Sequence, residues 1–284
     1  MRLIVSSDPH LHGNGPGGDE AVEKLAEYAI SSGTENDVLL LLGDYGNSLD
    51  SIRTCLSLFR DFPGRKLAVI GNHDLWDMCE DTNDRYVALQ DIIESMGFDS
   101  LDRGPAIIDG IAFVGEVGWY DYSFCDVNVP PEALASKIFP GKTEICWNDA
   151  LFVNWARSDQ EVTADQINKL ERELRCVKAE RVIVGMHHVP TKQLLFHPRS
   201  LVPFDWRFAN SFLGSDRFAE LFSRYSRRIE HVFCGHKHGF KTVRHDGVSY
   251  TSIGGDYEKK ELVIYESGRK TIERMVFDGR RHFG

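Results

Sequence analysis

No stretch of the 284-residue chain is apolar for the roughly 18 residues that a membrane-spanning helix needs, so no membrane span is expected. The opening MRLIVSSDPH enters a strand pattern at once and has no apolar leader core, so no export signal is expected either. The six cysteines, at 55, 79, 125, 146, 176 and 234, include no C-x-x-C pair. That weakens a thiolate zinc site, and free, buried cysteines in a cytoplasmic protein are the expectation. Basic residues are in deficit, 33 Lys and Arg against 43 Asp and Glu, for a formal net charge of −10. Such a chain repels nucleic acid and anionic membranes at long range. Repeats, low-complexity tracts and linkers are missing too, so residues 1–284 read as one domain. At 42% hydrophobic and 27% charged, the chain can still bury a sizeable core.

The apolar residues that are present come in short runs. RLIVSS, DVLLLLG and KLAVI read as strands buried on both faces, with helical patterns (DEAVEKLAEYAISSG, SLDSIRTCLSLFRDF) between them. Strand and helix alternation indicates an α/β layer of parallel strands. DRYVALQDIIESMG continues as helix and IAFVGEVG as strand. A long aromatic-rich insertion follows at about 116–160, with Trp119, Tyr120, Tyr122, Phe124, Trp147, Phe152 and Trp155. Aromatics at this density argue against disorder. They fit either a packed cluster or a substrate-shaping lid. Thr163 reads as the N-cap of TADQINKLERELRCV. RVIVGM and EHVFCG are strands, SDRFAELFSRY is a helix, and residues 189–213 form a second long loop. The tail reads as successive antiparallel strands with turns at HDG and SGRK. Met78, Met96 and Met275 read as core.

Five of the apolar runs end on metal-capable side chains: Asp8 and His10, Asp44, Asn72 and His73, His187 and His188, His236 and His238. In α/β sheets, ligands gather beyond the carboxyl ends of parallel strands. Strand alternation would send residues two apart to one side, which suits D-x-H and H-x-H. Gly43, Gly71 and Gly235 would allow sharp turns and close backbone approach. The set is too large for one tetrahedral ion and suits two ions that share a carboxylate, with Asp44 as bridge. Mixed carboxylate and imidazole donors favour Mn, Fe, Zn, Co or Ni, with Mn²⁺ first. Two divalent ions, less the charges of Asp8, Asp44 and a hydroxide, leave the site at about +1. A positive spot in an acidic protein suits an anion such as phosphate.

Together D-P-H at 8–10, G-D at 43–44, G-N-H-D at 71–74, H-H-V-P at 187–190 and G-H-K-H at 235–238 resemble the signature blocks of the calcineurin-like metallophosphoesterase superfamily. The resemblance spans residues 1 to about 255. It implies a four-layer αββα sandwich with a dinuclear metal site at the C-terminal ends of the strands. It implies Asp8, His10, Asp44 and His238 on the first ion, and Asp44, Asn72, His187 and His236 on the second. It makes His73 a hydrogen-bond or proton donor to the phosphoryl or leaving-group oxygen, with Asp74 orienting its ring. Asp74 reads equally as a helix cap. In the fourth block His187 directly follows its strand, whereas His188 has the more usual spacing to Pro190, so His188 stays an alternative.

The function this implies is hydrolysis of a phosphate mono- or diester of a small soluble molecule by a hydroxide activated between two metals. A non-catalytic scaffold of the same fold would lack ligands or His73, and none is missing. A nuclease would carry a basic track, and no Lys/Arg cluster flanks the motifs. His12, His197, His231, His245 and His282 read as structural, and Arg157 and Arg207 as surface residues.

Overall fold

The computed structural model describes residues 1–78, 81–126, 128–139, 145–196 and 204–279. In chain order the strands are β1 (Arg2–Ser6), β2 (Val38–Leu42), β3 (Arg65–Val69), β4 (Asp99–Ser100), β5 (Ala106–Ile108) and β6 (Ile111–Glu116). They continue as β7 (Ile138–Phe139), β8 (Ile145–Cys146), β9 (Arg181–Met186), β10 (Ile229–Cys234), β11 (Lys241–His245), β12 (Val248–Ser252), β13 (Lys259–Glu266) and β14 (Thr271–Asp278). The helices are α1 (Gly18–Ser32), α2 (Leu49–Leu58), α3 (Asn72–Leu75), α4 (Thr82–Ser95), α5 (Pro131–Ser136), α6 (Asp149–Phe152), α7 (Asp159–Cys176), α8 (Phe204–Asn210) and α9 (Asp216–Arg224).

Two six-stranded sheets form, ordered β14-β13-β1-β2-β3-β4 and β11-β12-β10-β9-β6-β5. β1 to β4 pair in parallel in the first. β6, β9, β10 and β12 do so in the second. Alternation along each strand feeds two separate cores. Leu3, Val5, Leu40, Leu42 and Val69 enter the layer between the sheets and meet Phe113, Ile183 and Phe233. Their neighbours Ile4, Leu39, Leu41 and Ala68 face the opposite way and pack with Leu25 of α1, Leu56 of α2 and Ile93 of α4. α7 and α9 cover the second sheet through Leu170, Leu174, Phe218 and Phe222. Each fully buried Leu or Phe contributes about 1.5–3 kcal/mol. Because both faces of β2 are covered, VLLLL carries no polar residue. The result is the expected αββα sandwich.

Several local expectations fail for identifiable reasons. α7 begins at Asp159, one turn before Thr163. Ser158 and Glu161 cap it reciprocally, and that two-bond arrangement prevails over a lone Thr cap. Thr163 instead donates its hydroxyl to the Asp159 carbonyl. The tail strands form two antiparallel hairpins as expected, but in different sheets: β11–β12 edges the second and β13–β14 the first. Alternation within each hairpin carries no information about which sheet it joins. Met78 is 86% exposed, whereas Met96 and Met275 pack on the core. Cys55 and Cys234 are buried, Cys125 and Cys146 half-buried and Cys176 exposed, all unpaired; Cys79 lies outside the described residues, as do His197 and His282. His231 is buried and hydrogen-bonded to Thr251 Oγ1 at 2.8 Å. Among the described residues no helix is long and apolar enough to cross a membrane.

The sheets close tightly at Gly115 of β6, where an added Cβ would lie 2.7 Å from Leu101 Cβ and 2.8 Å from the Gly185 carbonyl oxygen. An added Cβ at Gly104 would meet nothing within 4 Å. Urea unfolding should therefore show Gly115→Ala destabilised by about 1–3 kcal/mol, and Gly104→Ala unchanged within about 0.5 kcal/mol. Equal midpoints for the two variants would refute this account of the inter-sheet layer.

Candidate metal centre

The parallel strands β1, β2, β3, β9 and β10 release their chains at one edge of the sandwich, and the five polar blocks follow there. The pairs Asp8/His10 and His236/His238 lie beyond their strands. Strand alternation therefore does not aim them, contrary to the expectation. Asp8, His10, Asp44, His236 and His238 instead all adopt left-handed backbone, with φ of 58°, 46°, 58°, 65° and 54°. Such conformations cost on the order of 1–3 kcal/mol each and persist only where neighbours over-determine them. Here they do. Asp8 N donates to Gly43 O at 3.1 Å and His10 N to Asp44 O at 2.8 Å. His236 N donates to the Asp8 carboxylate at 3.1 Å. Lys260, buried, donates its ammonium to the Asp8 carbonyl at 2.9 Å. Gly43 takes the left-handed turn itself at φ 85°, and a Cβ on Gly71 or Gly235 would collide with the Asp44 or Asp8 carboxylate.

Two ligand groups result. In one, His10 Nε2 lies 3.1 Å from His238 Nε2, and His238 Nε2 lies 3.3 Å from Asp8 Oδ1. In the other, His187 Nε2 lies 3.1 Å from Asn72 Oδ1 and 3.2 Å from His236 Nδ1. Asp44 Oδ2 stands between them, 3.6 Å from His10 Nε2 and 3.3 Å from His187 Nε2. Asp44 Oδ1 accepts the His73 amide, while Oδ2 is buried with no hydrogen-bond partner. One imidazole N–H cannot serve the three acceptor-type atoms around His187 Nε2. Cations at the two convergence points would satisfy them all, so the donor set fits a pair of metal ions. His188 points elsewhere: its Nδ1 lies 3.2 Å from Val117 O, and its ring backs His236 at 4.2 Å.

Electrostatics agrees. Burial opposes the charge on Asp8 and Asp44, yet the surrounding imidazoles hold both carboxyls below the usual range. Burial alone would lower His187, but Asp44 overrides it and lifts the imidazole to about 9. Burial, followed by the charge on His187, drops His236 to about 4. The second group thus calls for positive charge beside Asp44.

Asp74 does not touch the His73 ring. Its buried carboxylate accepts the amides of Asp44, Tyr45, Gly46 and Gly71 at 2.9, 2.7, 3.3 and 2.8 Å. That is the capping reading, extended to two loops. Burial and the nearby Asp44 charge push Asp74 up to about 7, against the pull of those amides. The ring of His73 is held by Asn47, whose Oδ1 lies 3.0 Å from Nδ1, and it stacks on Trp76 at 3.6 Å. His73 also flanks the first group, with His10 and Asp44.

The sequence reading missed Asn47, Trp76, Asp149 and Tyr257. Asn47 and Trp76 lie three residues after Asp44 and His73, a local signal that was available. Asp149 and Tyr257 carry no motif spacing. Tyr257 packs on both His10 and His238, with ring centroids at 4.8 and 5.1 Å. The insertion divides its roles. Trp119, Tyr120 and Trp155 are core residues, while Trp147 lines a cavity of about 690 Å³ above the centre. Trp76, Ile145, Phe196, Trp206 and Phe208 complete an apolar wall over a floor that includes His10, Asp44, Asn72 and His236. Arg157 pairs with Asp165 and Arg207 lies near Asp126, both away from that floor.

No curated protein sequence matches the chain. Among solved structures, the phosphopantetheinyl hydrolase of Mycobacterium tuberculosis superposes with TM-score 0.69 at 21% identity, covering 89% of each chain. A putative 5'-nucleotidase from Staphylococcus aureus gives 0.51 at 11% identity, over 99% of this chain and 54% of that one. GAP50, the inner membrane complex anchor of Plasmodium, gives 0.52 at 10% identity, over 99% and 85%. At these identities the likeness is one of fold. The model of the calcineurin-like phosphoesterase family matches residues 1–240. With the two sheets, the clustered blocks and this match in agreement, the chain belongs to the calcineurin-like phosphoesterase family.

Proposed function

We propose that the protein is a dinuclear metal phosphohydrolase acting on the phosphate ester of a small molecule. The observation that carries this reading is the shared position of Asp44 Oδ2 between two groups of converging donors. Asp8, His10, Asp44 and His238 would hold one divalent ion, and Asp44, Asn72, His187 and His236 the other, with Mn²⁺ the first candidate. When bound, the ions neutralise the phosphoryl oxygens and acidify water for attack.

The chain's own residues do the rest. His73 lines the cavity, its ring fixed by Asn47 and Trp76. In the tautomer where Nδ1–H donates to Asn47 Oδ1, Nε2 is left for the phosphoryl or leaving-group oxygen. Burial lowers the His73 pKa, so a donating imidazolium depends on the negative charge of Asp44 and of the incoming phosphate. Asp74 holds the loops on which Asp44 and His73 sit and acts through them. The aromatic wall suits an ester with an apolar or extended body. A cavity of this size fits a metabolite or a terminal group better than a duplex. Its wall and the acidic balance of the chain support a small substrate over a nucleic acid. The phosphopantetheinyl ester named for the structural neighbour belongs in the first substrate panel.

The Mn²⁺-loaded protein should hydrolyse an aryl phosphate and some member of a phosphorylated-metabolite panel, and chelation should abolish turnover. A protein carrying two ions but inert towards every small phosphoester would defeat the proposal, and nicking of plasmid DNA by such a protein would point to a nuclease instead. In His73→Ala, kcat should fall by roughly 10²–10⁴ while metal content stays at two ions. Asn47→Ala should lower kcat in the same direction by less, since it frees the ring without removing it. Unchanged kcat in both variants would take His73 out of the chemistry.

A further inference from the structure

Asp149 opens α6 inside the 116–160 insertion and is fully buried. Its Oδ1 accepts Asn72 Nδ2 at 2.9 Å and Trp76 Nε1 at 2.7 Å. Its Oδ2 accepts Trp147 Nε1 at 2.8 Å and Tyr120 O–H at 3.2 Å. We propose that Asp149 is a positioning residue that ties the insertion to the metal centre by setting the amide of Asn72. The inference rests on the ligand assignment above.

A terminal amide is almost symmetric in shape, so packing alone does not tell Asn72 Oδ1 from Nδ2. A half-turn of the amide would aim N–H donors at His187 Nε2 and at any cation beside it. A carboxylate can only accept. Asp149 therefore selects the orientation in which Nδ2 faces the insertion and Oδ1 faces His187, 3.1 Å from its Nε2. The same carboxylate anchors Trp76, which backs the His73 ring at 3.6 Å. It also anchors Trp147, whose ring meets that of His236 edge-on at 5.8 Å. With both indole N–H groups turned to Asp149, the two rings give the cavity an apolar wall. One buried charge thus couples the shape of the substrate cavity to one metal position.

Asp159 supplies an internal control. It too is an acceptor for aromatic side chains of the insertion, taking Trp119 Nε1 at 2.7 Å and the Tyr122 hydroxyl, and it pairs with Lys137. It touches no residue of either ligand group.

The experiment titrates metal-free wild type, Asp149→Ala and Asp159→Ala with Mn²⁺ by calorimetry and checks ion content by elemental analysis. Wild type should bind two ions. Asp149→Ala should weaken one of them by about 10–100-fold and leave the other unchanged, as expected on loss of a residue that orients a ligand. Asp159→Ala should unfold at a lower temperature and keep both affinities. Asp149→Asn, which can still accept from Asn72, should recover most of the lost affinity. Should the alanine variant not fold, Asp149→Ser, which admits water, gives the same reading. Two wild-type affinities in the alanine or serine variant would overturn the proposal, as would equal losses in Asp159→Ala. A wild type that binds fewer than two ions would instead sink the ligand assignment.

Discussion

Two loops of the site are tied together by one buried carboxylate. Asp74 gathers four backbone amides, three from the loop after β2 and one from the loop after β3. Without it those N–H groups would be buried and unpaired, at about 1–3 kcal/mol each. With it, Asp44 can stay in a left-handed turn that presents one carboxylate oxygen to His73 N and the other to two imidazole groups. The cost falls on Asp74 itself, whose proton affinity rises under burial and the nearby Asp44 charge. Strain at the centre is thus offset by hydrogen bonding just beneath it.

Above that floor the molecule changes character. The blocks from β1, β2, β3, β9 and β10 supply charge and donors in a small volume, and the insertion supplies rings. The insertion is joined to the floor through Asp149 and Asn72 and through the Trp76 and His73 stack. The floor and the wall therefore share side chains. The cavity sets polar and titratable side chains at one end and aromatic faces around the rest.

Much of this was legible because the information is local. Short Val, Ile and Leu runs between helical patterns marked the two layers, since strands buried on both faces favour apolar side chains. Asp8, His10, Asp44, Asn72, His187, His236 and His238 each followed such a run, and the structure brings all seven together. Strand alternation does not aim the D-x-H and H-x-H pairs, however. Asp8 and His10 lie past the end of β1, and left-handed turns aim them. Thr163 lost the cap of α7 to Ser158 and Glu161, a pairing visible in the sequence and overlooked.

The sequence by itself determined the strand order along the chain and which metal-capable side chains follow the strands, because covalent neighbours and side-chain chemistry decide them. Only tertiary structure settled that His187 turns to Asp44 while His188 backs His236. It also decided that Asn47 rather than Asp74 holds His73, that the last two hairpins join different sheets, and that Asp149 meets Asn72. Each of these is a choice between alternatives of nearly equal local energy. Contacts across tens to hundreds of residues of chain decide them, and no run of neighbouring letters encodes such contacts.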